Sequence, residues 1–174
     1  SLEWIHRVSA ITHSHPLALI ACGIYYLILR EILHGEEKIR ALTATTEKAR
    51  DFYSRHRELR DHLRTFDRVL SLEILNLEED EIRSSGFVVH TLEAAVWSFA
   101  TADSYRDAVV KAVNLGDDTD TVAAITGGLA GAYYGYEAIP RKWVDTLALR
   151  DYILNTVERL LEAIEKCYGG QPAS

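Results

Sequence analysis

Apolar positions recur along this chain at intervals of three and four residues. From Pro16, a residue suited to the first turn of a helix, Leu17, Ile20, Cys22, Ile24, Leu27, Ile28 and Leu29 run on to Leu33, and Gly35 reads as the stop. Apolar side chains surround this segment on every side, which predicts a central helix rather than a surface one. Val88, Val89, Leu92, Ala95, Val96 and Phe99 predict a second helix ending near Asp103. Tyr105, Ala108, Val109 and Ala112 predict a third, up to Asn114-Leu115-Gly116. Thr121 to Tyr134 predicts another, as does Trp143 to Leu161 with Pro140 at its mouth. No stretch alternates with a period of two for six residues, and no turn dipeptide joins two alternating runs. The expected fold is all-α, a single domain over 1–174 without internal repeats.

Residues 36–68 differ in kind, with nine basic and seven acidic side chains and few bulky apolar ones. Mixed signs at helical spacing, such as Arg57 and Asp61, predict a long solvated helix with Phe52, Leu59, Leu63, Phe66 and Leu70 facing inward. A functional basic strip is the competing reading. The whole chain carries 19 basic and 26 acidic side chains, a net charge of −7, which argues against a broad nucleic-acid footprint. Two cysteines, Cys22 and Cys167, are too few for a disulfide scaffold and suit a reducing, cytoplasmic setting. Cys22 is expected in the core and Cys167 has no assigned role. The longest apolar run, Pro16 to Leu29, falls short of the roughly 20 residues of a spanning helix, and no signal peptide is visible, so no membrane partner is expected. The chain contains no methionine and is apolar from Trp4-Ile5, which suggests that it begins inside a larger fold.

Candidate chemistry concentrates in Gly116-Asp117-Asp118-Thr119-Asp120-Thr121. Three carboxylates within four residues repel one another unless something positive lies among them. Helix capping needs only one of them; carboxylate and hydroxyl oxygens at this spacing suit a hard divalent cation, and the spacing favours the cation. Glycines at 127, 131 and 135 follow on one helical face and predict the close approach of another helix. Thr12-His13-Ser14-His15-Pro16 is read as a transition-metal pair or, by default, as polar capping. Ser84-Ser85-Gly86-Phe87 is a small-residue turn opening a helix, suited to phosphate oxygens but common elsewhere. His90 stands without a partner in the sequence, and Trp97 and Trp143 are assigned to the core.

Taken in order, Thr12-His13 before the apolar helix, Gly86-Phe87-Val88-Val89-His90-Thr91-Leu92-Glu93-Ala94-Ala95 and Asn114 to Thr121 resemble the ADP-ribosylglycohydrolase family. Gly127 to Gly135, Ile139-Pro140 and Trp143 continue the resemblance, which covers residues 1 to about 150 and only the C-terminal part of the family fold. It implies a compact orthogonal helical bundle, incomplete on its N-terminal side. It further implies a two-metal Mg²⁺ or Mn²⁺ centre held in part by Asp118, Asp120 and Thr121, with Asp117 beside it. His13 corresponds to a histidine lining an ADP-ribose cleft, Gly86 and Phe87 to a loop whose ring packs on the nucleotide, and Ser85 to a polar contact nearby. The implied substrate is an ADP-ribosylated protein or a related small molecule. A catalytic glutamate and a Thr-Asp-Asp-Thr element of the family are absent here, so the implied partner is a missing N-terminal segment or a second chain. A non-catalytic ADP-ribose binder of the same fold is the alternative.

Overall fold

A computed structural model describes residues 1–168, which are helical with no strand among them. They form two compact units, residues 1–138 and the segment beginning at Ile139.

In the first unit, α2 (Pro16–Leu33) is central, as its all-round apolar character predicts. It packs against α1 (Leu2–Ser9), α3 (Lys38–Ser54), α4 (Arg57–Leu63), α6 (Val88–Ala100) and α8 (Thr119–Tyr134). The helix is long and apolar enough, by length and composition, to cross a membrane. Here its Ile20, Ile24 and Ile28 are fully buried against the neighbouring helices. Cys22, expected inside, is exposed, because it lines an open groove beside Tyr25, Tyr26 and Leu29. Gly23 lets α3 come close: the Tyr53 hydroxyl occupies the space a Cβ would need. Tyr53 is fully buried and its hydroxyl shares a 2.9 Å hydrogen bond with His6 Nε2. Burial pushes its phenol far above the ordinary range.

The charged segment is not one long helix. α3 ends at Ser54; α4, a 3-10 turn over Arg64–Phe66 and α5 (Asp67–Leu70) follow. At the break His56 Nδ1 donates to the Phe52 carbonyl at 2.7 Å, the acceptor that the next helical amide would have used. Leu59, Leu63, Phe66 and Leu70 are buried as predicted and Phe52 is half-buried. Arg50 with Asp67 (3.3 Å), Arg60 with Asp61 (3.6 Å) and Arg55 with Asp51 form exposed pairs, so this is a solvated face.

α6 is buried along most of its length, and Trp97 donates to the Leu77 carbonyl at 2.9 Å. α7 (Tyr105–Asn114) and α8 lie along one another. The predicted glycine contact is realised at Gly127 and Gly131, where Tyr105 and Val109 of α7 approach. Gly135 is no part of it. At φ 84° and in open space it ends α8. Lys38, at the start of α3, donates to the Ala102 carbonyl and to the Tyr134 hydroxyl (2.7 Å), beside the rings of Phe99, Tyr133 and Tyr134. One ammonium thus ties three elements together.

The second unit contains α9 (Arg141–Thr146) and α10 (Arg150–Tyr168), where one helix over 143–161 was expected. Thr146 turns its hydroxyl back to the Lys142 and Trp143 carbonyls (2.9 and 3.2 Å), and Leu149 adopts a left-handed φ of 56°. Trp143 is half-buried. Ile153, Val157, Leu160, Leu161 and Ile164 lie exposed on α10.

Candidate functional site

The start of α6 lies beside the start of α8 on one side and the start of α2 on the other. The turn before α6 and the turn before α8 are clamped by Ser84, whose buried hydroxyl donates to the carbonyls of Gly116 (2.9 Å) and Leu115 (3.3 Å). The Ser84 carbonyl accepts the Asp118 amide at 3.1 Å. Gly86 then sits against the Asp118 carboxylate: a Cβ there would lie 3.2 Å from Oδ2. Gly116 (φ 83°) and Asp117 (φ 52°) both occupy the left-handed region, which glycine adopts freely and aspartate tolerates better than most residues.

Asp118 stands at the N-cap of α8, yet its side chain makes no capping bond. Its backbone carbonyl accepts the Val122 amide at 3.1 Å, while Oδ1 accepts the Thr121 hydroxyl at 2.8 Å. The capping explanation of this aspartate therefore fails. Asp117, Asp120 and Thr121 are exposed on the same turn and first helical turn. These oxygens are hard donors of the kind Mg²⁺ or Mn²⁺ takes. Among the described residues, however, no group of three or more His, Cys, Asp or Glu side chains gathers to hold a metal ion. Asp118, Asp120 and Thr121 could therefore supply only part of a ligand set for such an ion.

On the other side of Gly86, Ser85 Oγ and His90 Nδ1 share a 2.8 Å hydrogen bond. Burial and the positive charges of Arg83 and Arg68 hold the His90 pKa below its ordinary value. The Phe87 amide donates to Ser85 Oγ at 3.4 Å. The amide that suited a phosphate is thereby engaged. The Phe87 ring stands edge-on to His90, 5.1 Å between centroids, and is 45% exposed. His90 is the site residue that the sequence left without a partner. Only the turn between positions 85 and 90 brings serine and imidazole together.

Phe87 also faces the start of α2. With His13, Leu17, Ala18 and Val88 it lines a groove of about 490 Å³. His13 Nδ1 lies 3.1 Å from Thr12 Oγ1. The His-x-His element does not act as a pair, because His15 Nδ1 accepts the Leu17 amide at 3.2 Å and caps α2. Gly86 thus meets Asp118 at the start of α8, and Phe87 shares a groove with His13 at the start of α2, each at the positive end of a helix dipole.

The chain belongs to the ADP-ribosylglycohydrolase family, whose model matches residues 1–170. It is 38% identical over 156 residues to ADP-ribosylarginine hydrolase Tri1 of Serratia proteamaculans, covering 87% of this chain and 38% of that protein. It is 27% identical to ADP-ribosyl-[dinitrogen reductase] glycohydrolase of Rhodospirillum rubrum, covering 92% of this chain and 47% of that one. A solved structure of an ADP-ribosylglycohydrolase-related protein complex superposes with a TM-score of 0.71 at 34% identity, covering 87% of this chain and 49% of that chain. The chain spans less than half the length of each of these proteins.

Proposed function

We propose that this chain supplies the ADP-ribose cleft and part of a two-metal Mg²⁺ or Mn²⁺ centre of a hydrolase that removes ADP-ribose from a modified protein side chain. The observation that carries it is the convergence of Gly86 and Phe87 with Asp118, beside the groove containing His13. Helix N-termini suit a diphosphate, an exposed ring suits an adenine or ribose face, and a carboxylate turn suits cations that grip sugar hydroxyls. Arginine is the favoured acceptor, since relatives 38% and 33% identical are named ADP-ribosylarginine hydrolases.

Breaking the bond between the ribose and an acceptor nitrogen builds positive charge on the sugar. When bound, the metal pair would orient the ribose hydroxyls and acidify water. Asp118, Asp120 and Thr121 would hold it; Phe87 and His13 would fix the nucleotide, and Ser85, oriented by His90, would offer a polar contact. Proton transfer at the leaving group needs a further acid or base, which this reading looks for outside these residues. The expected activity therefore belongs to the complete enzyme, acting in the cytoplasm, and residues 1–174 alone should show little.

In the complete enzyme, Asp118→Ala and Asp120→Ala should each lower turnover of ADP-ribosylarginine by about 100-fold or more, as loss of positioning at a reacting centre does. Full activity in both variants would sink the metal assignment. That no three His, Cys, Asp or Glu side chains among the described residues gather to hold a metal favours one second reading, a non-catalytic ADP-ribose binder. Calorimetric titration with ADP-ribose, with and without Mg²⁺, separates the two. Tight metal-independent binding without turnover in the complete protein supports the binder.

A further inference from the structure

The turn that opens α6 is held at its backbone and leaves one proton to be placed. Thr91 donates to the carbonyls of Ser85 and Phe87, the two residues that flank Gly86, at 3.1 and 3.2 Å. The Phe87 amide reaches Ser85 Oγ at 3.4 Å, and His90 Nδ1 lies 2.8 Å from the same oxygen. A serine hydroxyl carries one proton and two lone pairs. The amide takes one lone pair. At 2.8 Å the nitrogen and the oxygen share one proton, so either the hydroxyl donates to Nδ1 or Nδ1–H donates to the hydroxyl. In the first arrangement Ser85 keeps a lone pair and meets a ligand as an acceptor. In the second both lone pairs are taken, and Ser85 meets it as a donor.

The surroundings favour the first. Phe87 N–H to Ser85 O–H to His90 Nδ1 is a head-to-tail chain in which each bond polarises the next. In the second arrangement two donors converge on one oxygen. Burial, then the positive charges of Arg83 before the turn and Arg68 of α5, lower the His90 pKa, so the ring is neutral at pH 7.5. Arg68 also meets Glu93, one turn further along α6; Asp118 stands beyond Gly86, and His13 shares a groove with Phe87. A phosphate oxygen has no proton to give an acceptor, so the partner of Ser85 is a group that donates. Beside Gly86 that group is a sugar hydroxyl. The Asp118 turn suits cations that take a hydroxyl's lone pair, and a hydroxyl so held has its proton left to place. We propose that His90 is a positioning residue whose Nδ1 accepts the Ser85 hydroxyl, so that Ser85 in turn accepts a hydroxyl of the ribose bonded to the modified side chain. The proposal rests on the function proposed above and adds to it the polarity with which Ser85 reads the sugar.

The proton is read directly by nuclear magnetic resonance. In the complete protein labelled with ¹⁵N-histidine, the His90 ring is assigned by its loss in His90→Asn. It should show Nε2 protonated and Nδ1 bare at pH 7.5, and Ser85→Ala should move the Nδ1 resonance. A protonated Nδ1 at that pH, or a resonance indifferent to Ser85→Ala, overturns the proposal. Calorimetry with Mg²⁺ present tests the ligand. Ser85→Ala and His90→Phe should each weaken ADP-ribose binding about threefold to tenfold, the worth of one hydrogen bond. ADP, which lacks the second ribose, should keep its affinity. The double variant should lose no more than either single one, because the two residues act through one bond. His90→Asn, whose amide oxygen can accept the same hydroxyl, should restore binding; if His90→Phe does not fold, this variant and Ser85→Ala carry the test. Additive losses, an equal loss for ADP, or no rescue by asparagine would each overturn the pairing. Wild-type protein that binds no ADP-ribose refutes the function proposed above and the ribose with it. Wild-type protein that binds ADP-ribose with Nδ1 protonated refutes the role of His90 alone.

Discussion

Gly23 shows how one missing atom decides a helix contact. A methyl group there would collide with the Tyr53 hydroxyl, and His6 Nε2 and a Leu2 methyl lie 3.2 Å from the same point. Alanine would favour the helix by about 1 kcal/mol, but the ring it meets is fully buried and cannot swing aside. Overpacking costs about 1–3 kcal/mol, so sterics should win. Gly23→Ala is expected to lower the urea midpoint of unfolding. An unchanged midpoint would show that Tyr53 has room to move. The same dependence on space explains His90: its chemistry comes from Ser85 at 2.8 Å, a contact made by the turn and unmarked by any sequence spacing.

Among the elements, α5 and α6 are joined by a pair that no motif announced. Glu93 on α6 is 4% exposed, and its carboxylate meets Arg68 Nη1 of α5 at 3.4 Å. Arg68 Nη2 also donates to the Glu81 carbonyl at 3.2 Å, on the segment leading to Ser84. Burial raises the Glu93 pKa and Arg68 pulls it back. Removing the arginine leaves a buried charge unpaired, which costs about 3–5 kcal/mol at a fully buried site; Arg68 is a third exposed, so water recovers part of that. Arg68→Met should destabilise by about 1–3 kcal/mol at neutral pH. With the folded carboxyl pKa raised above its unfolded value, the deficit is fully present at neutral pH and shrinks as the pH falls through the raised carboxyl range. Thermal melts at pH 7 and pH 5 check both size and sign. The broken helices at 55–56 and 147–149 belong to this scale too, since periodicity cannot register a side chain that takes a backbone carbonyl.

For the molecule as a whole, the packing of α1 on α3 sets a dependence on acid. Burial, then the positive charge of His56, lowers the His6 pKa, with Glu3 opposing. A histidine depressed in the fold binds fewer protons than it does unfolded. Its stabilisation is present above the ordinary histidine range and is lost as the pH falls through it, levelling off below the depressed folded value. Denaturant midpoints should therefore fall between about pH 7.5 and 5.5, and His6→Gln should be less stable at pH 7.5 but flatter across that window. An equal slope in the variant would assign the acid sensitivity to other groups, among them His90, whose pKa is depressed in the same direction.

The all-helical fold, the central place of Pro16–Leu33 and the acidic turn with its glycine-rich helix were legible in the sequence. Each is a local matter: period, capping residues and composition act within a few turns of chain. The resemblance to the ADP-ribosylglycohydrolase family was legible for the same reason, being carried by short contiguous motifs. Tertiary structure alone decided that Asp118 leaves its cap unmade, that His90 joins Ser85, and that Cys22 faces outward. It also decided that α2 and α6 leave an apolar groove behind the cleft. The groove and the outward Cys22 depend on which distant segments meet, as does the contact of Ser84 with Gly116, 32 residues apart, whereas Ser85 and His90 meet through the path of one turn that residue spacing does not mark.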